Sequence, residues 1–242
     1  MLVIAHLSDP HLDGSADATE RLHRVTAYLQ RLERPVDVVL VTGDIADHGL
    51  PAEYAEAAEA LELPQPVLVL PGNHDVSTPF RAGLGVEGGH PVHQVRDVAG
   101  ARFVLLDSSV PGEDYGWFSP ESLAWLDGVL RESWDGPLFV ALHHPPVLMG
   151  HATLDQWGLR DADAFGAVLA SNKVTAVFAG HVHAAFVGQF AGVPMLVGPG
   201  IRSATRLPWE KGGLLDLEAP PGLAVHMYDE VDGLRTVYRY LA

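Results

Sequence analysis

Residues that bind divalent metal ions recur at five places along this chain, each directly after a short apolar run. They are Asp9 and His11; Asp44; Asn73, His74 and Asp75; His143; and His181 and His183. Imidazole nitrogens with carboxylate and amide oxygens, in a chain without cysteine, suit borderline or hard divalent ions of the first transition row. The pattern therefore predicts metal chemistry where these apolar runs end.

The spacing within the sets supports this prediction. One residue separates Asp9 from His11 and His181 from His183, and in an extended segment that spacing puts both side chains on the same side. Two ions need a carboxylate that bridges them, and Asp44 stands alone in its loop, where it can serve both. A single histidine is more often a core or surface residue than a ligand, and we assign that ordinary role to His6, His23, His90, His93, His151 and His226.

The elements that must position these residues alternate between strand and helix. Short apolar runs predict buried strands over residues 2–7, 36–41, 67–70, 138–142 and 174–179. Because parallel strands bring their carboxyl ends to one edge of a sheet, we expect the residues that follow them to meet there. Asp17, with Glu20 as partner, is predicted to cap a first helix. Further helices are predicted over residues 52–61, 78–84 and 162–169 and after Ser119-Pro120.

The last third of the chain is predicted to be almost all strand. An antiparallel pair is expected over residues 91–98 and 101–107, with Ala99-Gly100 at the turn. Short strands follow near residues 185–190, 194–197, 214–217, 223–228 and 236–240. This order predicts an α/β fold of two packed sheets with helices on the outer faces. Without linker, repeat or low-complexity tract, residues 1–242 are expected to form a single domain.

Composition narrows the function classes. The formal charge of −16 disfavours nucleic acid as the main partner and means that an anionic substrate needs a local positive centre. The absence of cysteine excludes disulfides and thiolate ligands. Apolar runs are at most about strand length and no basic stretch precedes the first strand, so no membrane span or signal peptide is expected and the cytoplasm is the expected location.

The five sets together resemble the motifs of the calcineurin-like metallophosphoesterases. The matching stretches are Asp9-Pro10-His11, Gly43-Asp44, Gly72-Asn73-His74-Asp75, His143-His144-Pro145-Pro146 and Gly180-His181-Val182-His183. The stretch from Thr42 to Gly49, the stretch from Leu106 to Gly112, and Leu154-Asp155 after His144-Pro145-Pro146 further resemble the bacterial class III cyclic-nucleotide phosphodiesterases and their glycerophosphodiesterase relatives.

This resemblance implies a fold, a ligand set and catalytic residues. The fold would be a four-layer α/β/β/α sandwich of two packed mixed sheets. One divalent ion (Fe, Mn or Zn) would be held by Asp9, His11, Asp44 and His183, and a second by Asp44, Asn73, His143 and His181. His74 would contact the phosphate and help the leaving oxygen, with Asp75 orienting its ring. In such centres two ions about 4 Å apart lower the pKa of a bridging water, so that hydroxide attacks phosphorus.

The substrate expected from the resemblance is a small phosphodiester, with a 3′,5′- or 2′,3′-cyclic nucleotide foremost. Protein phosphatases of this superfamily carry Arg where this chain has His48 and Glu where it has Asp75, which disfavours a phosphoprotein substrate. A glycerophosphodiesterase or a phosphomonoesterase remains an alternative, since the same metals can serve each. A binding scaffold that has lost catalysis is disfavoured, because no ligand of the motif set is missing. The chain is short after Thr205, where relatives often carry extra elements for dimerisation, so a homodimer stays open.

Residues that select the substrate must lie in the loops around the metals. Candidates are His48 and residues 115–118, 155–160 and 202–206. Trp117 or Trp157 could stack on a base, although each could instead pack in the core. Arg202 or Arg206 could meet a phosphate, although each could instead be a solvated loop residue.

Overall fold

Two mixed β-sheets pack face to face, and five α-helices cover their outer faces. The computed structural model describes all residues from Met1 to Ala242. The strands are β1 (Leu2–Leu7), β2 (Val38–Thr42), β3 (Val67–Leu70), β4 (Gln94–Val98), β5 (Ala101–Leu105), β6 (Leu138–Ala141), β7 (Ala176–Ala179), β8 (Phe186–Phe190), β9 (Val193–Val197), β10 (Ala204–Thr205), β11 (Leu215–Asp216), β12 (Gly222–Asp229) and β13 (Gly233–Tyr240). The helices are α1 (Ala16–Gln30), α2 (Pro51–Ala60), α3 (Ser77–Leu84), α4 (Pro120–Leu130) and α5 (Ala162–Ala170), with a short 3₁₀ turn at Leu154–Gln156.

The first sheet has the order β13-β12-β1-β2-β3, and the second has the order β4-β5-β6-β7-β9-β8. Strands β1, β2 and β3 are parallel, as are β5, β6, β7 and β9. A helix separates most consecutive parallel strands, because parallel neighbours need a crossover connection. The carboxyl ends of the parallel strands in each sheet therefore lie at one edge, where the chain carries its polar residues.

Three apolar layers hold the fold together. Helices α1 to α3 pack on one face of the first sheet, and α4 and α5 pack on one face of the second. The third layer lies between the sheets, where Ile4 and Leu40 meet Phe103, Phe139 and Phe178. Each central strand is buried on both faces, so its sequence is a continuous apolar run without hydrophobic alternation. The predicted four-layer α/β/β/α sandwich is confirmed.

Several predicted boundaries shift. Helix α1 is capped by Ser15, whose hydroxyl accepts a hydrogen bond from the Ala18 amide, so Asp17 is not the cap but lies in the first turn. The strand expected over residues 214–217 is reduced to two residues of β11, paired with β10 in a separate hairpin. The antiparallel pair around Ala99-Gly100 and the Ser119 cap of α4 are confirmed. No helix is both long and apolar enough to cross a membrane.

Candidate metal centre

The loops after β1, β2, β3, β6 and β7 meet at the shared edge of the two sheets. The structure brings together there all seven side chains predicted as ligands, which are Asp9, His11, Asp44, Asn73, His143, His181 and His183. In a first group, His11 Nε2 lies 3.1 Å from His183 Nε2 and 3.4 Å from Asp44 Oδ2. Asp9 Oδ1 lies 3.7 Å from the same His183 nitrogen.

A second group surrounds His143. Its Nε2 atom lies 3.1 Å from Asn73 Oδ1, 3.2 Å from His181 Nδ1 and 3.3 Å from Asp44 Oδ2. Asp44 Oδ2 is thus close to a histidine of each group. Asp44 is buried between the two groups, which is the place that a bridging carboxylate occupies.

The hydrogen bonds of the far ring nitrogens decide what these groups can bind. His11 Nδ1 faces a carboxylate oxygen of Asp47 at 2.8 Å, and His143 Nδ1 faces the Thr42 carbonyl at 2.7 Å. Both partners only accept hydrogen bonds, so each neutral ring carries its proton on Nδ1 and turns a lone pair inward from Nε2. In their neutral forms these two rings therefore turn lone pairs toward the carboxylate and amide oxygens of the centre, and a cation between them would relieve the repulsion. Ligands about 2.0–2.2 Å from a shared ion lie about 3.0–3.7 Å apart, which fits the observed spacings.

The charges in the centre also favour a cation. Burial by itself would lower the pKa of His143, but the Asp44 and Asp9 carboxylates outweigh burial and raise this pKa to about 9. Burial likewise opposes ionisation of Asp44, yet His143 and His11 hold its pKa well below the usual range. Burial, reinforced by His143, lowers the pKa of His181 to about 3, so its ring stays neutral and able to bind a metal. The negative potential that raises the pKa of His143 would also stabilise a bound divalent ion.

Most of the converging residues have a backbone conformation that L-amino acids avoid. The φ angles are positive at Asp9 (54°), His11 (44°), Asp44 (48°), His181 (71°) and His183 (48°). The prediction that Asp9–His11 and His181–His183 are extended segments is therefore wrong. Left-handed residues turn the chain sharply after β1, β2 and β7, and these turns aim the side chains inward. Such residues cost about 1–3 kcal/mol each and persist where the surroundings hold them, typically at functional sites.

Two glycines allow the loops to approach this closely. A β-carbon on Gly72 would overlap the Asp44 carboxylate, and one on Gly43 would overlap the His143 ring. Gly43 also has a φ of +89°, which other residues rarely adopt. Both motif glycines are therefore needed to bring Asp44 and His143 together.

His74 and Asp75 have separate roles. His74 lines the pocket beside the centre, and its side chain is 40% exposed. Its Nδ1 atom donates to the Asp47 carbonyl at 2.8 Å. The expected contact in which Asp75 orients the His74 ring is not found, because the Asp75 carboxylate faces the other way. That carboxylate accepts hydrogen bonds from the amides of residues 45, 46 and 72 and from the Tyr54 hydroxyl.

Sequence reasoning missed the residues that fix the rings. Asp47 holds His11 through its carboxylate and His74 through its carbonyl, and Ser203 Oγ lies 2.7 Å from His183 Nδ1. Partners of this kind set the tautomer and orientation of metal-binding histidines. The signal for Asp47 was its position three residues after Asp44 in the same loop. Ser203 is 20 residues from its partner and had no such signal.

A cavity of about 340 Å³ opens beside the centre. One side is apolar and is formed by Leu154, Trp157, Leu214, Leu215 and Leu217. Of the proposed substrate contacts, Trp157, Arg202, Ser203 and Thr205 line this cavity. Two other candidates lie outside it. Glu53 holds the His48 ring at 2.7 Å, and Trp117 donates to Asp161 at 3.2 Å in a separate surface groove.

Comparison with known proteins gives concordant matches. Residues 2–185 match the family model described as Calcineurin-like phosphoesterase. A probable cyclic nucleotide phosphodiesterase of Rhodococcus erythropolis is 36% identical over 94% of this chain and 80% of its own length. A glycerophosphodiester phosphodiesterase of Enterobacter lignolyticus is 31% identical over 78% of this chain and 73% of its own length. Among solved structures, a purple acid phosphatase from yellow lupin has the same fold, with a TM-score of 0.68 at 14% identity over 99% of this chain and 51% of that one.

Proposed function

The chain belongs to the calcineurin-like phosphoesterase family, and on this premise we propose that it hydrolyses a small phosphodiester, with a cyclic nucleotide as first candidate. The observation that carries the proposal is the convergence of imidazole nitrogens, carboxylates and an amide oxygen around the buried Asp44 carboxylate. That arrangement supports two divalent ions, and the nitrogen and oxygen donors suit iron, manganese or zinc.

The two groups of acceptors define the proposed ligands. Asp9, His11, Asp44 and His183 would hold one ion, and Asp44, Asn73, His143 and His181 would hold the other. When bound, such ions neutralise phosphate oxygens and supply hydroxide near neutral pH. This also resolves the difficulty that an anionic substrate faces in a chain with a charge of −16.

His74 is proposed as the general acid. Because Nδ1 donates to the Asp47 carbonyl, the other ring nitrogen is free to hold a proton for the leaving oxygen in the adjacent cavity. An Asp47 carboxylate oxygen also lies 3.5 Å from Nδ1. Asp75 is proposed to act indirectly, since it anchors the loop that carries Asn73 and His74 to the loop of Asp44.

The cavity supports a substrate with one flat or apolar group attached to the phosphate. Trp157 and the leucines beside it offer a surface for a base, and the volume suits a small molecule. A glycerophosphodiester is the second candidate, favoured by the Enterobacter relative. Both candidates would present the same diester phosphate to the ions, so the choice between them depends on the residues of the cavity.

A turnover comparison tests the proposal. The protein loaded with manganese or zinc is assayed with 3′,5′-cyclic AMP, 2′,3′-cyclic AMP, glycerophosphocholine and AMP, and kcat/KM is measured for each. We expect a cyclic nucleotide to have the highest value and Asp44→Asn to abolish both turnover and binding of the two ions. Faster turnover of AMP or of the glycerophosphodiester would refute the cyclic-nucleotide assignment. Binding of ions and nucleotide without turnover of any ester would support a binding scaffold instead.

A further inference from the structure

The part of the cavity that lies beyond the candidate ligands and His74 carries little positive charge. Arg202 is the only arginine or lysine among its lining residues, whereas Asp13 and Asp114 lie at its sides. The apolar side contributes no charge at all. A group that extends from the reacting phosphate into this cavity therefore meets mainly carboxylates and hydrocarbon.

The charge of Arg202 is already neutralised within the protein. One terminal nitrogen lies 2.8 Å from a carboxylate oxygen of Asp17 in the first turn of α1. The other lies 3.9 Å from Asp13. The Arg202 side chain is 20% exposed, and its backbone amide donates to the Asp9 carbonyl, so the residue is fixed at both ends.

The second arginine of this region has a structural role. Arg206 pairs with Asp216 at 2.9 Å and donates to the Leu215 carbonyl at 2.6 Å, which fixes the β10–β11 hairpin. Asp114, in contrast, is exposed and has no arginine, lysine or histidine within ion-pair distance. No neighbouring cation neutralises the Asp114 charge, and the residue lines the cavity that a substrate would enter.

We propose that the cavity selects phosphodiesters whose only negative charge is the reacting phosphate, and that Asp114, together with the neutralised Arg202, excludes groups bearing a second phosphate. This proposal rests on the hydrolytic function proposed above. The admitted class comprises cyclic mononucleotides and diesters of neutral or cationic alcohols. The rejected class comprises dinucleotides, nucleotide pyrophosphates and other substrates with a further anionic group.

The magnitude follows from Coulomb's law. Two charges about 8 Å apart in a wet cavity repel by an amount that corresponds to about a threefold change in binding for each pair. A second phosphate carries nearly two charges and faces more than one carboxylate, so the combined discrimination is about tenfold or more. Because the cavity is open to solvent, salt should weaken the effect.

A matched pair of synthetic esters tests the proposal. Thymidine 5′-(p-nitrophenyl phosphate) and its 3′-phosphorylated form contain the same reacting diester and the same leaving group. We expect the manganese-loaded protein to hydrolyse the first with a kcat/KM at least about tenfold higher at low ionic strength. We expect 0.5 M NaCl to lower this ratio of kcat/KM values.

Charge variants show which residues are responsible. Asp114→Lys should lower the ratio severalfold, and Asp17→Ala should lower it by releasing Arg202 to meet the second phosphate. The matched control is Glu33→Lys, which alters the net charge by the same amount as Asp114→Lys. Glu33 is exposed just after α1 and does not line the cavity, so this variant should leave the ratio unchanged.

The results of these assays distinguish the selection proposal from the proposed hydrolytic function. Equal kcat/KM for the two esters, or an unchanged ratio in Asp114→Lys, would overturn the selection proposal and leave the hydrolytic function standing. Failure to hydrolyse either ester while cyclic AMP is still hydrolysed would also overturn the selection proposal, because the unphosphorylated ester belongs to the admitted class. Failure with cyclic AMP, glycerophosphocholine and both esters would overturn the proposed function as well.

Discussion

Acidification should destabilise the fold through His6 and His226, which are fully buried between the two sheets. His6 Nδ1 lies 3.1 Å from His226 Nε2, and the outer nitrogens lie 2.9 Å from Thr42 Oγ1 and 2.8 Å from Thr236 Oγ1. If Thr236 donates to His226, His226 to His6, and His6 to Thr42, every ring nitrogen is satisfied with both rings neutral. A charged ring would be buried without a carboxylate partner, so the folded state disfavours protonation.

The size and sign of the effect follow from the pKa values. Burial lowers the pKa of His6 from 6.5 to about 3, and burial and then His6 lower that of His226 well below 6.5. Between the folded and unfolded pKa values the unfolded chain binds more protons than the folded chain. The contribution of the neutral pair to the free energy of unfolding is therefore fully present above pH 6.5 and is lost as pH falls below it. At pH 5 the loss is about 2 kcal/mol for His6, and His226 contributes with the same sign.

Urea unfolding of the metal-free protein at pH 7.5 and pH 5 measures this loss. The buried histidines of the metal centre also titrate, so the informative quantity is the difference between the wild-type protein and the double variant His6→Leu/His226→Leu. The wild-type protein should lose at least about 2 kcal/mol more stability than the double variant over this pH range. The single variant His6→Leu should cost about 1–3 kcal/mol at pH 7.5, because it leaves a buried His226 nitrogen without a partner.

Equal pH dependence in the wild-type protein and the double variant would refute the reasoning. So would a histidine ring that titrates near pH 6.5 in the folded protein and is assigned by NMR to His6 or His226. A double variant that costs as much as the sum of the two single variants would contradict the coupling of the two rings.

Three further predictions concern the metal centre and the cavity. Asp47→Asn should weaken metal binding about 10- to 100-fold in calorimetric titration, because the His11 ring loses the carboxylate that orients it; unchanged affinity would contradict this role. His74→Ala should retain both ions by elemental analysis yet lose about 10²–10⁴ in kcat, with a smaller loss for a p-nitrophenyl ester, whose leaving group needs no proton; loss of metal would make His74 a ligand. Trp157→Leu should raise KM for a cyclic nucleotide severalfold, while Trp117→Leu, a tryptophan outside the cavity, should not; equal effects would remove Trp157 from substrate binding.

Much of the fold could be predicted from the sequence because its central strands are buried on both faces. Apolar runs of four to six residues, such as Val67–Leu70 and Leu2–Leu7, end abruptly at polar motifs. Parallel topology then sends those motifs to one edge, and this sufficed to bring the seven candidate ligands together. Elements with weaker patterns were harder to predict, as in the β10–β11 hairpin, where only two residues pair on each side.

The contacts that tune the site could not be predicted, because they depend on turn geometry and not on residue type. His74 and Asp75 are adjacent, and adjacency suggested that the carboxylate orients the ring. The turn after β3 instead sends the two side chains in opposite directions, so Asp75 anchors the Asp44 loop while the Asp47 carbonyl holds His74.

The His6–His226 pair shows the same limit at longer range. His6 lies on β1 and His226 on β12, and the antiparallel pairing of these strands brings the two rings together across 220 residues. Neither histidine carries a local signal that separates it from an ordinary core histidine. The pair connects through Thr42, whose carbonyl holds His143, so a buried hydrogen-bond chain between the sheets continues to the candidate metal centre. The stability of the interior and the orientation of that histidine therefore depend on the same residue at the end of β2.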